Sequence, residues 1–266
     1  MRHLPVLALC LLAAQPALAA ATPWQEVAPG ARLRLVSSGE QAADGSTTVG
    51  LELDMPDGYT TYWRHPGESG IPTTLDIAGS RGVATARIDW PYPSVENVSG
   101  VLDYVYRGPT VLPVRLTLSG DAPVLALAVT MGVCSEVCVP VRARFELPLA
   151  PAADPANSLR LRQAESQVPM AWDGKAPAFA ALTYQPADAT LSIEGLDPAI
   201  DPGSIIVAAA DPGIVFDTPK KGPDGHTVLL KLRGQGGTAW VSSPVDLTFL
   251  TRRGAYQASA PVRVAP

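Results

Sequence analysis

The chain has 266 residues, with 20 Lys and Arg against 25 Asp and Glu and a formal net charge of −5. No basic cluster is longer than Arg252-Arg253, a solvated strand end, which excludes the concentrated positive face that nucleic-acid binding needs. The 27 prolines and 23 glycines punctuate short alternating or β-branched runs, which points to an all-β protein of sandwich type rather than a helical one.

At the N-terminus, Met1-Arg2-His3, the apolar run from Leu4 to Ala14 and the small-residue site Ala17-Leu18-Ala19 read as a secretory signal peptide over residues 1–19. Cleavage after Ala19 or Ala21 fits equally. The apolar run is shorter than the roughly 20 residues of a membrane-spanning helix. Leu7-Ala8-Leu9-Cys10 superficially resembles a lipid-attachment motif, but its cysteine comes too early and Leu9 stands where a small residue is needed. Cys10 is expected to leave with the signal. Cys134 and Cys138 then remain, a pair in an oxidising compartment. Farther along, the longest apolar run, Val124 to Val133, is broken by Thr130 and Gly132, so an exported, soluble chain is expected.

The first domain is placed at residues 22–148. Its candidate strands are Ala31–Ser37, Thr47–Asp54, Thr73–Ile77, Ala84–Trp90, Val111–Leu118, Val124–Met131 and Val139–Leu147. In the last of these, Val139, Val141, Ala143, Phe145 and Leu147 fall on one face and Arg142, Arg144 and Glu146 on the other, the period of a half-buried strand. Cys138 then lies on the side of Pro140 and Arg142, away from the apolar face. A Pro/Ala-rich stretch, Pro148 to Pro155, marks a linker over residues 149–157.

A second β-sandwich-like domain is placed at residues 158–266. It opens with a short helix, Ser158–Gln167, capped by Asn157 or Ser158 and burying Leu159 with Leu161. Its candidate strands are Phe179–Tyr184, Thr190–Ile193, Ile205–Ala209, Thr227–Leu232 and Val245–Leu250, separated by turn signals such as Asp211-Pro212-Gly213 and Pro223-Asp224-Gly225. Gly234-Gln235-Gly236-Gly237 is a loop without the strand–turn–helix frame of a phosphate site.

Cys134-Ser135-Glu136-Val137-Cys138 joins two candidate strands, so the cysteines flank a tight turn where their α-carbons can reach disulfide distance. A bond closing so short a loop stabilises by only about 2 kcal/mol. On spacing alone, a hairpin staple and a bond meant to be opened are equally open. The spacing is not that of a thioredoxin-type C-x-x-C, and Glu136 between the sulfurs should raise a thiol pKa. The pair is therefore expected to react by being attacked when oxidised and by delivering electrons when reduced.

Tyr62-Trp63-Arg64-His65-Pro66-Gly67-Glu68-Ser69-Gly70-Ile71-Pro72, then Trp90-Pro91, Tyr106, Val111-Leu112-Pro113-Val114 and Val133 to Pro140 around the cysteines, resemble the N-terminal periplasmic domain of the disulfide reductase DsbD. They are closer still to that of its copper-tolerance relative ScsB. The resemblance spans about residues 24–150. It implies an immunoglobulin-like periplasmic domain without a cofactor, taking electrons from a thioredoxin-like or membrane-embedded reductase in trans and passing them to periplasmic thiol proteins. Cys138 would be the sulfur attacked by the partner, and Cys134 would close the pair. Val98, Ser99 and Gly100, in a segment running to Leu102, would form a cap over the disulfide, with Tyr106 and Glu136 lining the site.

Two further groups can be read in more than one way. Tyr59, Tyr62, Trp63 and Trp90 suit a docking surface or a sandwich core, while Arg64, His65 and Glu68 can tune the site or simply fix their loop. The rival functions are a Cu(I) module using Cys134, Cys138 and Met131 as soft ligands, and an interaction domain with a permanent disulfide. A zinc site is not supported, because the histidines left after the signal, His65 and His226, lie in different proposed domains.

Overall fold

Leu33 with Leu35, Leu51 with Leu53 and Leu112 with Val114 repeat at every second position, the period that turns one face of a strand inward. All six are fully buried in the computed structural model, which describes residues 20–149, 153–174, 176–234 and 237–266. The expected signal peptide, residues 1–19, lies outside the described residues, as do residues 150–152 of the expected linker.

The first part of the chain forms β1 (Gln25–Ala28), β2 (Ala31–Ser37), β3 (Ser46–Asp54), β4 (Thr60–Gly67), β5 (Thr74–Asp76) and β6 (Val83–Ile88). There follow β7 (Ser94–Val98), β8 (Val101–Arg107), β9 (Thr110–Leu118), β10 (Val124–Cys134) and β11 (Cys138–Pro148). One sheet runs β1-β2-β3-β9-β6 and the facing sheet β11-β10-β4-β8-β7, with β5 beside β10. Their inner faces enclose one apolar core that includes Trp63, Leu102, Leu127 and Phe145. The architecture is the all-β, immunoglobulin-like sandwich that the sequence leads one to expect.

Helix α1 (Pro155–Glu165) comes next, and it differs from expectation in three respects. It starts three residues earlier, because the Asp154 carboxylate caps the backbone N–H groups of Ala156 and Asn157 and Pro155 takes the first turn. Leu159 is 64% exposed, while Asn157, Ser158, Leu161 and Ala164 are buried, the i, i+1, i+4, i+7 face of a helix. That face lies on the first sandwich, not the second: Leu161 packs over Gly50, and the Asn157 amide donates to the Ser37 carbonyl at 3.0 Å.

The remaining strands are β12 (Met170–Ala171), β13 (Ala181–Gln185), β14 (Thr190–Glu194), β15 (Ile206–Ala208) and β16 (Val215–Phe216). The last are β17 (Lys220–Lys221), β18 (Val228–Arg233), β19 (Val245–Thr251), β20 (Gly254–Ala260) and β21 (Arg263–Val264). They form a second sandwich of sheets β12-β20-β19-β15 and β16-β18-β14-β13-β21, with β17 beside β18, around Leu191, Ile193, Phe216, Leu247 and Phe249.

The two sandwiches pack against each other. Ile206, Ala208 and Val215 of the second join the core of the first. Tyr92 donates its hydroxyl to the Ser204 carbonyl at 2.6 Å, and Arg64 pairs with Asp246 at 3.3 Å. Burial pushes the Tyr92 phenol up to about 12, so it stays a donor at neutral pH.

Nine strands fall where none was expected, the short β1, β12, β16, β17 and β21 and the longer β4, β7, β8 and β20. In β4 burial does not alternate, because Thr60 to Trp63 are buried on both faces, and the pairing with β8 then jumps from Tyr62↔Val105 to Gly67↔Asp103. The residues between bulge out of the ladder, which hides the period-two signal.

Candidate functional site

The site is built on the β10–β11 hairpin. These strands pair residue by residue from Val124↔Pro148 to Cys134↔Cys138. Alternation sends Leu125, Leu127, Val129, Met131 and Val133 into the core and Cys134 to the outer face. The cysteines are direct cross-strand partners with α-carbons 4.0 Å apart, joined by a disulfide and closed by the exposed turn Ser135-Glu136-Val137. The two sulfurs differ in environment: Cys134 is 5% exposed and packs with Tyr62 and Val105, whereas Cys138 is exposed. Val139, expected on the apolar face, is 42% exposed, on the edge strand of its sheet.

β4 meets β10 at Cys134↔Thr60 and puts the Tyr62 hydroxyl over the bond. The hydroxyl lies 2.7 Å from the Cys134 sulfur and 3.0 Å from that of Cys138. Disulfide sulfurs carry no proton, so the tyrosine donates. Burial, reinforced by the negative charges of Asp103 and Glu96, raises the Tyr62 pKa, so the proton stays on the oxygen.

The ring itself is held by the loop that follows. Gly70 lies so close to it that a Cβ there would overlap both the ring and Pro66, and Ile71 closes the space above Gly132. Gly67, which starts the loop, has φ +94 and would drive a Cβ into the Leu102 carbonyl, so only glycine serves. Ser69 then anchors the loop to Asp103 through its N–H at 2.9 Å and its hydroxyl at 2.5 Å.

Of the residues expected at the site, Cys134 and Cys138 come together and Glu136 sits in the turn between them. Tyr106 does not join them. It faces the core on the opposite side of β8 from Val105, stacked on Trp90 and donating its hydroxyl to the Pro91 carbonyl at 2.6 Å. Burial holds its pKa well above the usual phenol value. Val98, Ser99 and Gly100 form the tip of the β7–β8 hairpin, where Ser99 and Gly100 both have positive φ, as a two-residue turn of this kind requires. The tip begins four residues along β8 from Val105, about 13 Å by strand rise, and Val98 is 64% exposed. Met131 is fully buried on the core side of β10, so the proposed Cu(I) ligand set is not assembled.

The residues that sequence reasoning missed are Ser69, Gly70, Asp103 and Val105. Tyr62 had been grouped with Trp63 as core or docking aromatics, yet adjacent strand residues point to opposite faces. That alternation, once β4 is recognised, separates Trp63 in the core from Tyr62 on the sulfurs.

Fold and site thus define an immunoglobulin-like domain that presents a half-accessible disulfide on a hairpin. Residues 33–150 match the family model of the N-terminal domain of the thiol:disulfide interchange protein DsbD. Among solved structures, the N-terminal periplasmic domain of ScsB from Proteus mirabilis is similar at 22% identity and a TM-score of 0.72. The match covers 92% of this chain and 98% of that one, so the shared fold extends through the second sandwich. No curated protein matches the chain. Among the described residues no helix is long and apolar enough to cross a membrane.

Proposed function

We propose that this protein is a periplasmic thiol–disulfide exchange protein. It relays electrons through Cys134–Cys138 from a separate reductase, thioredoxin-like or membrane-embedded, to periplasmic thiol proteins. The observation that carries the proposal is the asymmetry of the bond, with an exposed Cys138 residue joined to a buried Cys134 whose sulfur accepts a hydrogen bond from Tyr62. A partner thiolate attacks Cys138, the S–S bond breaks, and Cys134 leaves as a thiolate stabilised by the Tyr62 hydroxyl.

The partner's second thiolate then attacks its own sulfur in the mixed disulfide. This releases the oxidised partner and leaves Cys134 and Cys138 reduced by two electrons and, after protonation, two protons. In the next half-cycle Cys138 attacks a substrate disulfide and Cys134 resolves the mixed species, re-forming the bond.

Replacing Cys134 by Ser leaves Cys138 without its resolving partner. Cys134→Ser exposed to a periplasmic extract should accumulate mixed disulfides through Cys138, visible as bands that dissolve on reduction and identified by mass spectrometry. Absence of any Cys138-linked species, together with a native bond that resists dithiothreitol, would leave a permanent staple as the function of the pair. Cu(I) capture would need a further soft ligand, and the Met131 side chain faces away from the sulfurs.

A further inference from the structure

Arg233, at the end of β18 in the second sandwich, makes three side-chain contacts, two of them with the first sandwich. Its Nε donates to Glu68 Oε2 at 2.8 Å, its Nη1 lies 3.3 Å from Asp217 Oδ1, and its Nη2 donates to the Gly100 carbonyl at the β7–β8 tip. The same Glu68 oxygen accepts the Leu102 N–H at 2.7 Å, and the Glu68 N–H donates to the Leu102 carbonyl at 2.9 Å. One carboxylate therefore ties the second sandwich to β8 and to the loop of residues 67–71. From Glu68 the contacts continue without a gap: Ser69 to Asp103, Gly70 on the Tyr62 ring, and the Tyr62 hydroxyl on both sulfurs.

We infer that the second sandwich is a positioning module for the disulfide, in which Arg233 holds the Glu68 loop against Tyr62 and so sets the hydrogen bond on the sulfurs. This rests on the exchange function proposed above and deepens it. Arg233 is a positioning residue, since it touches neither sulfur. The physical reason is where the loop sits: it follows Gly67↔Asp103, the last rung that β4 makes with β8, so it is held by its bonds to Leu102 and Asp103, and Arg233 fixes the carboxylate that makes one of them. An arginine making three charge-assisted or carbonyl bonds at once orients a loop in a way that a lysine point charge does not.

The test uses the oxidised full chain and its reduction by dithiothreitol, which reports on the site without any protein partner. The rate is followed by thiol alkylation, and the midpoint potential by equilibration with glutathione. Tyr62→Phe should slow reduction about tenfold, the size expected for losing a hydrogen bond to a developing thiolate. Arg233→Met should slow it about threefold and shift the potential, with Arg233→Lys recovering part of the loss.

In the Tyr62→Phe background, Arg233→Met should change nothing further, because both changes act on one hydrogen bond. Wild-type rate and potential in Arg233→Met, or an undiminished threefold effect in the Tyr62→Phe background, would overturn the inference. Should Arg233→Met fail to fold, Glu68→Gln weakens the same junction while keeping an acceptor for Leu102, and is expected to show the same pattern. If Cys134→Ser still traps partners while these variants are silent, only the positioning role falls. Failure of that trap removes the exchange proposal itself.

Discussion

The long hairpin of each sandwich invites comparison. β19 and β20 pair from Val245↔Ala260 to Thr251↔Gly254 and turn through Arg252-Arg253, which are exposed. β10 and β11 pair in the same way, but their last rung is a disulfide. Both hairpins turn alternate apolar residues inward, so the period-two pattern that builds a core does not by itself distinguish the hairpin that carries the disulfide from the one that does not. Two local departures make the difference: cysteines at the closing rung, and a neighbouring strand, β4, that leaves the ladder just where Tyr62 can lie over them. The second sandwich supplies no cysteine of its own, yet it reaches the site through Arg233.

If the sandwiches are mechanically one unit, damage to the second should be felt in the first. Phe216 is fully buried in the second core, and its carbonyl faces the Tyr104 hydroxyl of the first at 3.5 Å. Phe216→Ala should cost about 3–5 kcal/mol in a urea titration that still has one transition. A two-step curve in which the first sandwich unfolds at its original midpoint would break the comparison.

A smaller effect is expected from His65, which is 3% exposed at the interface. Its ring nitrogens face the backbone of Asp211 and Ile214 without reaching a hydrogen bond of normal geometry. Burial, helped by the charge of Arg64, lowers its pKa from 6.5 to about 4. Between those values the unfolded chain binds a proton that the folded chain does not, so folding stability falls as pH falls through this window. The loss should approach about 3 kcal/mol near pH 4. His65→Leu should flatten that part of the pH–stability curve, and an unchanged slope would place the acid sensitivity elsewhere.

The smallest change concerns the join between the sandwiches. Asp154→Ala removes the cap of α1 and should cost about 1 kcal/mol by thermal melting, without altering the rate at which dithiothreitol reduces the disulfide. A change in that rate would mean that α1, docked on the sheet opposite the hairpin, also reaches the site.

Much of the sandwich was legible because burial of one strand face imposes alternation: β2, β3, β9, β10 and β11 carry it clearly, as does β19. The cysteine pair and its tight turn could also be read directly. β4, β7 and β8 could not. β4 bulges, and β7 is an edge strand with most of its side chains exposed, so neither shows a period, and the tyrosine on β4 that completes the site went unassigned. Tyr106 was placed at the site by the family resemblance, but residue parity, visible only once the register of β8 is known, turns it into the core.

From the sequence alone came the all-β class, the position of the cysteine pair and the family resemblance, since local periodicity, turn chemistry and motif order are properties of neighbours along the chain. Tertiary structure decided which sulfur is exposed, which tyrosine covers the bond and which arginine reaches across from the other sandwich. Those facts depend on the register between strands and on contacts between residues as far apart as Glu68 and Arg233, which no local pattern encodes.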